Sequence, residues 1–332
     1  MESSKAKAIV DILNKAIKSD KPLFYVGSDP DLKVGKISSG ISVLDRILGG
    51  GWPRGRVVML IGAFSSGKTL ACLHTIASAQ REGCSCAIID AEKSYCPEWS
   101  AKLGVNTDDL VVTRPNTADE AFDHIVAMLR LPNPVDVIVL DSIASLTPTP
   151  EREEDMEQQF MGLLARTVNK GLRKVVAENS RSLVMMINQT RESIGVYMGN
   201  PETWPGGKGQ GFTASTIVRV KRGGFLEEGK GEKKKRVGHN LVFKTEKNKM
   251  APPYQEAEIP FYYSGLMDYN VGVFNIALEL GIIERAGPYY KYKGNNWLGR
   301  DAVMKHLEDD EEMLKELKYE VEHGDPHTPE SD

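Results

Sequence analysis

Cysteine is scarce. The 332 residues hold four, Cys72, Cys84, Cys86 and Cys96, close together and without a C-x-x-C pair. This spacing excludes a disulfide scaffold and argues against a zinc site; packed free thiols in a reducing compartment are the simpler reading, and a cytoplasmic location is expected. No apolar run approaches the ~18 residues of a membrane span. The first twenty residues carry charges throughout and lack an apolar h-region, so no secretory leader is expected. Internal repeats are missing, which excludes solenoids and propellers. Hydrophobic residues at 41% and charged residues at 27% are ordinary for a globular chain and too apolar for a disordered one.

The net charge of −4 is unevenly spread. Residues 300–332 hold four Lys/Arg against twelve Asp/Glu, so the rest of the chain is mildly basic. An acidic tail behind a basic body suits a polyanion binder, and equally a solvated terminus.

Residues 3–18 read as an amphipathic helix with Ile9, Ile12, Leu13, Ala16 and Ile17 on one face. Alone it buries nothing, so it docks on its own core or on another chain. Residues 20–35 read as a linker. From 56 to 188, apolar runs at 57–61, 86–90, 110–113, 135–141 and 183–188 alternate with helical stretches. Runs apolar on both faces suit a parallel sheet buried on both sides, and the alternation predicts an α/β layer fold. Consecutive strands follow over 213–263, read as antiparallel additions to the sheet edge. Their Gly- and Lys-rich turn at 229–238 is an exposed tip or a phosphate-attracting patch. Residues 266–323 form a small mixed segment closed by a helix over 308–323.

The sharpest motif is Gly62-Ala-Phe-Ser65-Ser66-Gly67-Lys68-Thr69, a G-x-x-x-x-G-K-[ST] that follows an apolar strand and opens a helix. Such a loop curls its N–H groups around phosphate oxygens at a helix N-terminus. Lys68 reaches the β/γ-phosphates and Thr69 a Mg²⁺ ion; ATP and Mg²⁺ are the expected ligands. Asp141, ending a buried strand, is costly there unless a cation meets it. Glu92, on the same rim, is placed to activate water. Gln189 follows another buried strand and can sense the γ-phosphate. Two polar loops, 148–160 and 190–211, project from that rim. No G-x-G-x-x-G dinucleotide fingerprint is present.

With SAQREG at 78–83, IDAEK at 89–93, KLGV at 102–105, VDVIVLDSIASLTP at 135–148, FMGLLAR at 160–166, INQTRESIGVYMGNPET at 187–203 and EKNKMAPPYQEAE at 246–258, the chain resembles the RecA recombinase family, in a bacterial or phage-encoded form. The resemblance covers about 36–300. It implies a RecA-like P-loop NTPase core with a mostly parallel sheet flanked by helices, antiparallel edge strands, an N-terminal helix and a small C-terminal α/β domain. The divisions expected are 1–35 for subunit docking, 36–265 for the ATPase core and 266–332 for the C-terminal domain with its acidic tail.

The implied function is DNA-dependent ATP hydrolysis by a helical filament on single-stranded DNA. That filament pairs its strand with homologous duplex DNA in recombination and repair. Carried over by residue, Glu92 is the hydrolytic carboxylate, Gln189 couples the γ-phosphate to a DNA loop, and Trp99 stacks on the base. Lys247 and Lys249 reach the neighbouring subunit's nucleotide. Met161, Arg166, Asn169, Arg173, Arg191, Ile194, Gly206 and Gly207 contact DNA through phosphates and stacking rather than base edges. Cys96 departs from the family's acidic residue near the base, Trp99 from its tyrosine, and Trp204-Pro205 from small polar residues. Lys208 replaces an amide, and Met198 an aromatic at a subunit contact. The rival readings are a hexameric helicase or ring motor on the same core, and an ATP-binding mediator with little turnover.

Overall fold

The computed structural model describes residues 5–17, 22–149, 162–192, 202–229 and 234–323. The chain falls into two compact units, residues 1–35 and 36–332.

In the first unit, α1 (Lys5–Ala16) has no buried residue, and Ile9 and Ile12 stand exposed along it. The Asn14 side chain fastens the following segment by accepting from the Leu23 and Phe24 amides and donating to the Phe24 carbonyl. That segment is extended, with tight turns at 27–28 and at Pro30–Leu32.

The second unit begins with β1 (Lys36–Ile37), α2 (Ser42–Leu48) and β2 (Trp52–Pro53), the two strands pairing antiparallel. The alternating region follows: β3 (Val57–Gly62), α3 (Lys68–Arg81), β4 (Cys86–Asp90), α4 (Pro97–Lys102), β5 (Leu110–Thr113), α5 (Ala118–Leu129), β6 (Val137–Asp141), α6 (Leu163–Glu178) and β7 (Leu183–Gln189). Next come the short pair β8 (Arg191–Glu192) and β9 (Glu202–Thr203), then α7 (Gly209–Thr213). Three longer strands complete the sheet, β10 (Thr216–Glu228), β11 (Lys235–Asn248) and β12 (Glu256–Tyr262). The order is β12-β11-β10-β3-β7-β6-β4-β5.

All residues of β3, β4 and β6 are buried, which explains their unbroken apolar runs. Successive side chains on β3 enter opposite cores: Val58 and Leu60 pack with α3, while Val57, Met59 and Ile61 pack with α5 and α6. The sheet is therefore covered on both faces.

Three expectations need correction. β10 is not an antiparallel addition to β3, because it runs parallel to it over Thr216–Arg219; the antiparallel pairing is that of β11 with β10 and of β12 with β11. The helix expected over 308–323 is two, α9 and α10, introduced below. Cys96 is exposed rather than packed, whereas Cys72, Cys84 and Cys86 are buried.

The segment beyond β12 holds α8 (Tyr269–Glu279), the meander β13 (Glu284–Ala286), β14 (Tyr289–Tyr292) and β15 (Asn295–Leu298), and then α9 (Arg300–Asp309) and α10 (Glu311–His323). Asp310 breaks the last two helices and caps the second by accepting from the Met313 amide. Phe274, Tyr290, Leu307 and Leu317 join the same apolar core as Val43 and Ile259. No helix among the described residues is long and apolar enough to cross a membrane.

At the amino end of the sheet, Asp136 clasps three segments. It accepts from Arg54 Nη1 at 2.8 Å, Arg181 Nη2 at 2.7 Å, and the Ser85 amide and hydroxyl at 3.1 and 3.0 Å. Burial opposes its charge, but these donors outweigh it, and the pKa falls from 3.8 to about 2. The unfolded chain holds that proton more tightly, so the stabilisation is full above about pH 4 and is lost as pH falls through about 2. Asp136→Asn should cost about 2–3 kcal/mol at pH 7 and much less near pH 2, as read by urea unfolding at both pH values.

Candidate functional site

The carboxyl ends of β3, β4, β6 and β7 form one rim, the usual place for ligands in open α/β sheets. The P-loop leaves β3 there and encloses one side of a cleft of about 460 Å³. Gly62 and Gly67 are dictated by close approach. A Cβ on Gly62 would lie 2.2 Å from the Val220 carbonyl oxygen, and one on Gly67 2.5 Å from Leu241 Cδ2. Gly67 also sits at φ 99°, where an L side chain is strained. Phe64, Ser65 and Ser66 complete the loop's contribution to the lining.

Lys68 is buried, and its Nζ donates to the Gly62 and Ala63 carbonyls at 3.1 and 2.7 Å. Burial lowers its pKa, while Asp141 and Glu92 favour its charge. Thr69 donates its hydroxyl to Asp141 Oδ2 at 2.6 Å. Asp141 is buried at the tip of β6, and its pKa rises to about 6 because burial, Glu92 and Asp90 disfavour the anion more than Thr69 and Lys68 support it.

Glu92 projects into the cleft from beyond β4. Its Oε1 accepts from Ser142 Oγ at 2.6 Å, Ser145 Oγ at 3.3 Å and Gln189 Nε2 at 3.1 Å. Trp99, on α4, lines the same cleft with Ile187, His239 and Phe261. The structure therefore brings Gly67, Lys68, Thr69, Glu92, Trp99, Asp141 and Gln189 to one place. Cys96 lies outside that lining and donates its thiol to Glu98.

Lys247 and Lys249 stand apart from the cleft lining. Lys247 Nζ donates to the Gly211 and Phe212 carbonyls at 2.8 and 3.1 Å, and the Lys249 amide to Ser215 O at 3.1 Å. Burial and the neighbouring Lys249 charge both lower the Lys247 pKa.

Arg166 and Arg173 are exposed on α6, with half-buried Asn169 between them on one face. The turn carrying Gly206 and Gly207 packs on that helix beside Ala165, and Gly209 abuts Asn169. Arg191 pairs with Thr203 in the β8–β9 ladder. Trp204 is half-buried against Gly211 and the core under α5 and α6. Met161, Ile194, Met198, residues 150–160 and 193–201 of the two loops, and residues 324–332 lie outside the described residues.

Sequence reading missed two groups. Asn188, buried beside Gln189, donates to Pro205 O and Gln210 Oε1 at 2.9 Å each, and so ties β7 to α7. Ser142 and Ser145 orient Glu92. For Asn188 and Ser142 a polar residue at full burial is the signal, and it appears only once the strands are in register; the exposed Ser145 carries no such signal.

Two family descriptions match this chain: RecA N-terminal domain over residues 6–267 and RecA C-terminal domain over 272–324. The chain belongs to the RecA family. Among its relatives is Protein RecA of Wolbachia sp. subsp. Drosophila simulans (strain wRi), 38% identical over 325 residues, or 96% of this chain and 90% of that protein. Protein RecA of Halalkalibacterium halodurans is 37% identical over 325 residues, covering 96% and 92% of the two chains. The RecA protein of Nostoc punctiforme is 39% identical over 321 residues, covering 95% and 88%.

In this RecA-family chain the Lys247 contacts carry a structural expectation. Lys247→Met should leave global stability within about 1 kcal/mol and speed amide exchange across α7, measured by hydrogen–deuterium exchange.

Proposed function

We propose that this chain is a cytoplasmic DNA-dependent ATPase that forms helical filaments on single-stranded DNA and pairs that strand with homologous duplex. The observation that carries the reading is the cluster Thr69–Asp141 and Gln189–Glu92, assembled against a P-loop on the rim from which the 190–211 segment departs.

Thr69 and Asp141 offer hard oxygens, and Asp141 is a buried acid beside a second one, so a divalent cation would relieve its cost. The residues present fit Mg²⁺ carried with ATP. Held by Thr69 and Asp141, that ion would neutralise phosphate charge. Lys68 and the amides around Ser65 and Ser66 bind the phosphates, with Gly62 and Gly67 shaping the loop. Glu92, aimed by Ser142, Ser145 and Gln189, takes a proton from the attacking water. Trp99 supplies an aromatic face for the base.

Gln189 touches Glu92 while its neighbour Asn188 holds Pro205 and Gln210. A change at the γ-phosphate thus reaches the Gly206–Gly207 turn through two adjacent residues. Arg166, Asn169 and Arg173, with Arg191, Ile194 and Met161, would form the surface that neutralises phosphates and stacks on bases without reading them.

Filament growth would use the exposed stripe of α1 against the next protomer's core, a head-to-tail contact that does not close. Lys247 and Lys249 would then meet the neighbour's nucleotide, Lys247 releasing the Gly211 and Phe212 carbonyls to do so. Residues 266–332 would form the accessory C-terminal domain.

Electron microscopy with a slowly hydrolysed ATP analogue and single-stranded DNA tests the assembly. Helical filaments are expected; closed rings would favour the motor reading and overturn this one. Lys68→Ala should abolish ATP binding, read by fluorescence titration. Glu92→Gln should keep ATP and DNA binding and lose about 100-fold or more in turnover; undiminished turnover would remove Glu92 from its role.

A further inference from the structure

Glu92 belongs to neither β4 nor α4, so no regular element fixes its carboxylate. The loop that carries it, residues 90–95, is closed by hydrogen bonds at both ends instead. On the approach, the Ala91 and Glu92 amides both donate to the Asp141 carbonyl, at 2.8 and 3.2 Å. On the return, the Ser94 amide donates to Asp90 Oδ1 at 2.9 Å and the Tyr95 amide to Oδ2 at 3.2 Å. Between them Lys93 takes φ 55°, a left-handed conformation that a lysine keeps only where its surroundings impose it. Asp90 thus shuts a loop that has Glu92 at its tip.

Asp90 is 2% exposed and lies among acids, since Asp141 feels the charge of both Asp90 and Glu92. A buried carboxylate in such company is costly unless a cation meets it. Arg114 meets it, its Nε donating to Asp90 Oδ2 at 3.1 Å. The placement follows from register. Ile89 pairs with Thr113 in the parallel ladder of β4 and β5, so Asp90 and Arg114 come side by side one step further on. Pro115, buried just behind, favours extended backbone at Arg114.

The Arg114 side chain is 54% exposed, so water reaches the guanidinium but not the acid it holds. Arg114 also lies outside the cleft lining. Its influence on the cleft therefore passes through Asp90 and the two amides that Asp90 accepts. Displacing a general base costs rate far more than affinity, because the transition state alone needs its alignment.

We propose that Arg114 is a positioning residue for ATP hydrolysis: its charge holds Asp90, Asp90 holds the Ser94 and Tyr95 amides, and the closed loop aims Glu92 at the attacking water. The inference rests on the reading of Glu92 as the hydrolytic carboxylate. It adds to that reading a control exerted from the end of β5, the edge strand of the sheet.

The test uses the full chain with saturating single-stranded DNA. It reads kcat and KM for ATP, and equilibrium affinity for a slowly hydrolysed ATP analogue. Arg114→Ala should lower kcat about tenfold and leave KM and analogue affinity within about twofold. Arg114→Lys, which keeps the charge, should return kcat to within about threefold of wild type. Hydrogen exchange at the Ser94 and Tyr95 amides should quicken in the alanine variant. In a Glu92→Gln background, Arg114→Ala should cost nothing more in single-turnover hydrolysis, because residues that act as a unit are not additive. A kcat within about twofold of wild type in Arg114→Ala overturns the inference. So does an equal loss of analogue affinity, a lysine variant no better than alanine, or unchanged exchange at the two amides. A further full loss in the Glu92→Gln background would place the action of Arg114 elsewhere and overturns it as well. Undiminished turnover in Glu92→Gln alone would instead sink the hydrolytic reading of Glu92, and the inference with it. Thermal melts of every variant confirm that folded chains are compared.

Discussion

A buried acid at the end of an apolar strand is the constraint around which this structure is arranged. Asp141 keeps its place because Thr69 donates to it across the sheet, although β7 lies between β3 and β6. For that bond to form, α3 must start at once after Gly67 and run over β7. The P-loop must therefore turn within a space that neither Gly62 nor Gly67 can share with a side chain. Desolvation, which makes the carboxylate expensive, also makes it a strong point of attraction for a cation.

The same rim carries the mechanical link. Asn188 and Gln189 are consecutive, and alternation along β7 sends them to opposite sides. One reaches Glu92 and the other Pro205 and Gln210. A strand end is stiff, so two neighbouring amides can couple an acid in the cleft to a turn on α6 without a long chain of intermediates.

Much of this was legible in the sequence. Five of the six parallel strands announced themselves as apolar runs, and the P-loop, Glu92, Asp141 and Gln189 follow strand ends that place them together. What stayed hidden depends on pairing between distant segments. The direction of β10 is set by its contact with β3, and no local pattern records that. Asp136 gathers Arg54, Ser85 and Arg181 from separate turns at the far end of the sheet. His239 reads as a lone polar residue in a strand until Phe261 is opposite it in register. The break at Asp310 was missed because acidic residues on both sides suit a continuous helix.

The arm formed by β10 and β11 outruns the sheet that bears it. β10 leaves β3 after Arg219, and β12 supports β11 only from Gly238 inward. The two outermost rungs, Glu227–Arg236 and Glu228–Lys235, are joined to each other alone, and Arg236 reaches back over the Phe225 ring. Such a cantilever transmits little load to its root. An inserted reporter or affinity peptide at its free end would be carried by two strands, and the phosphate-binding loop would not register the graft.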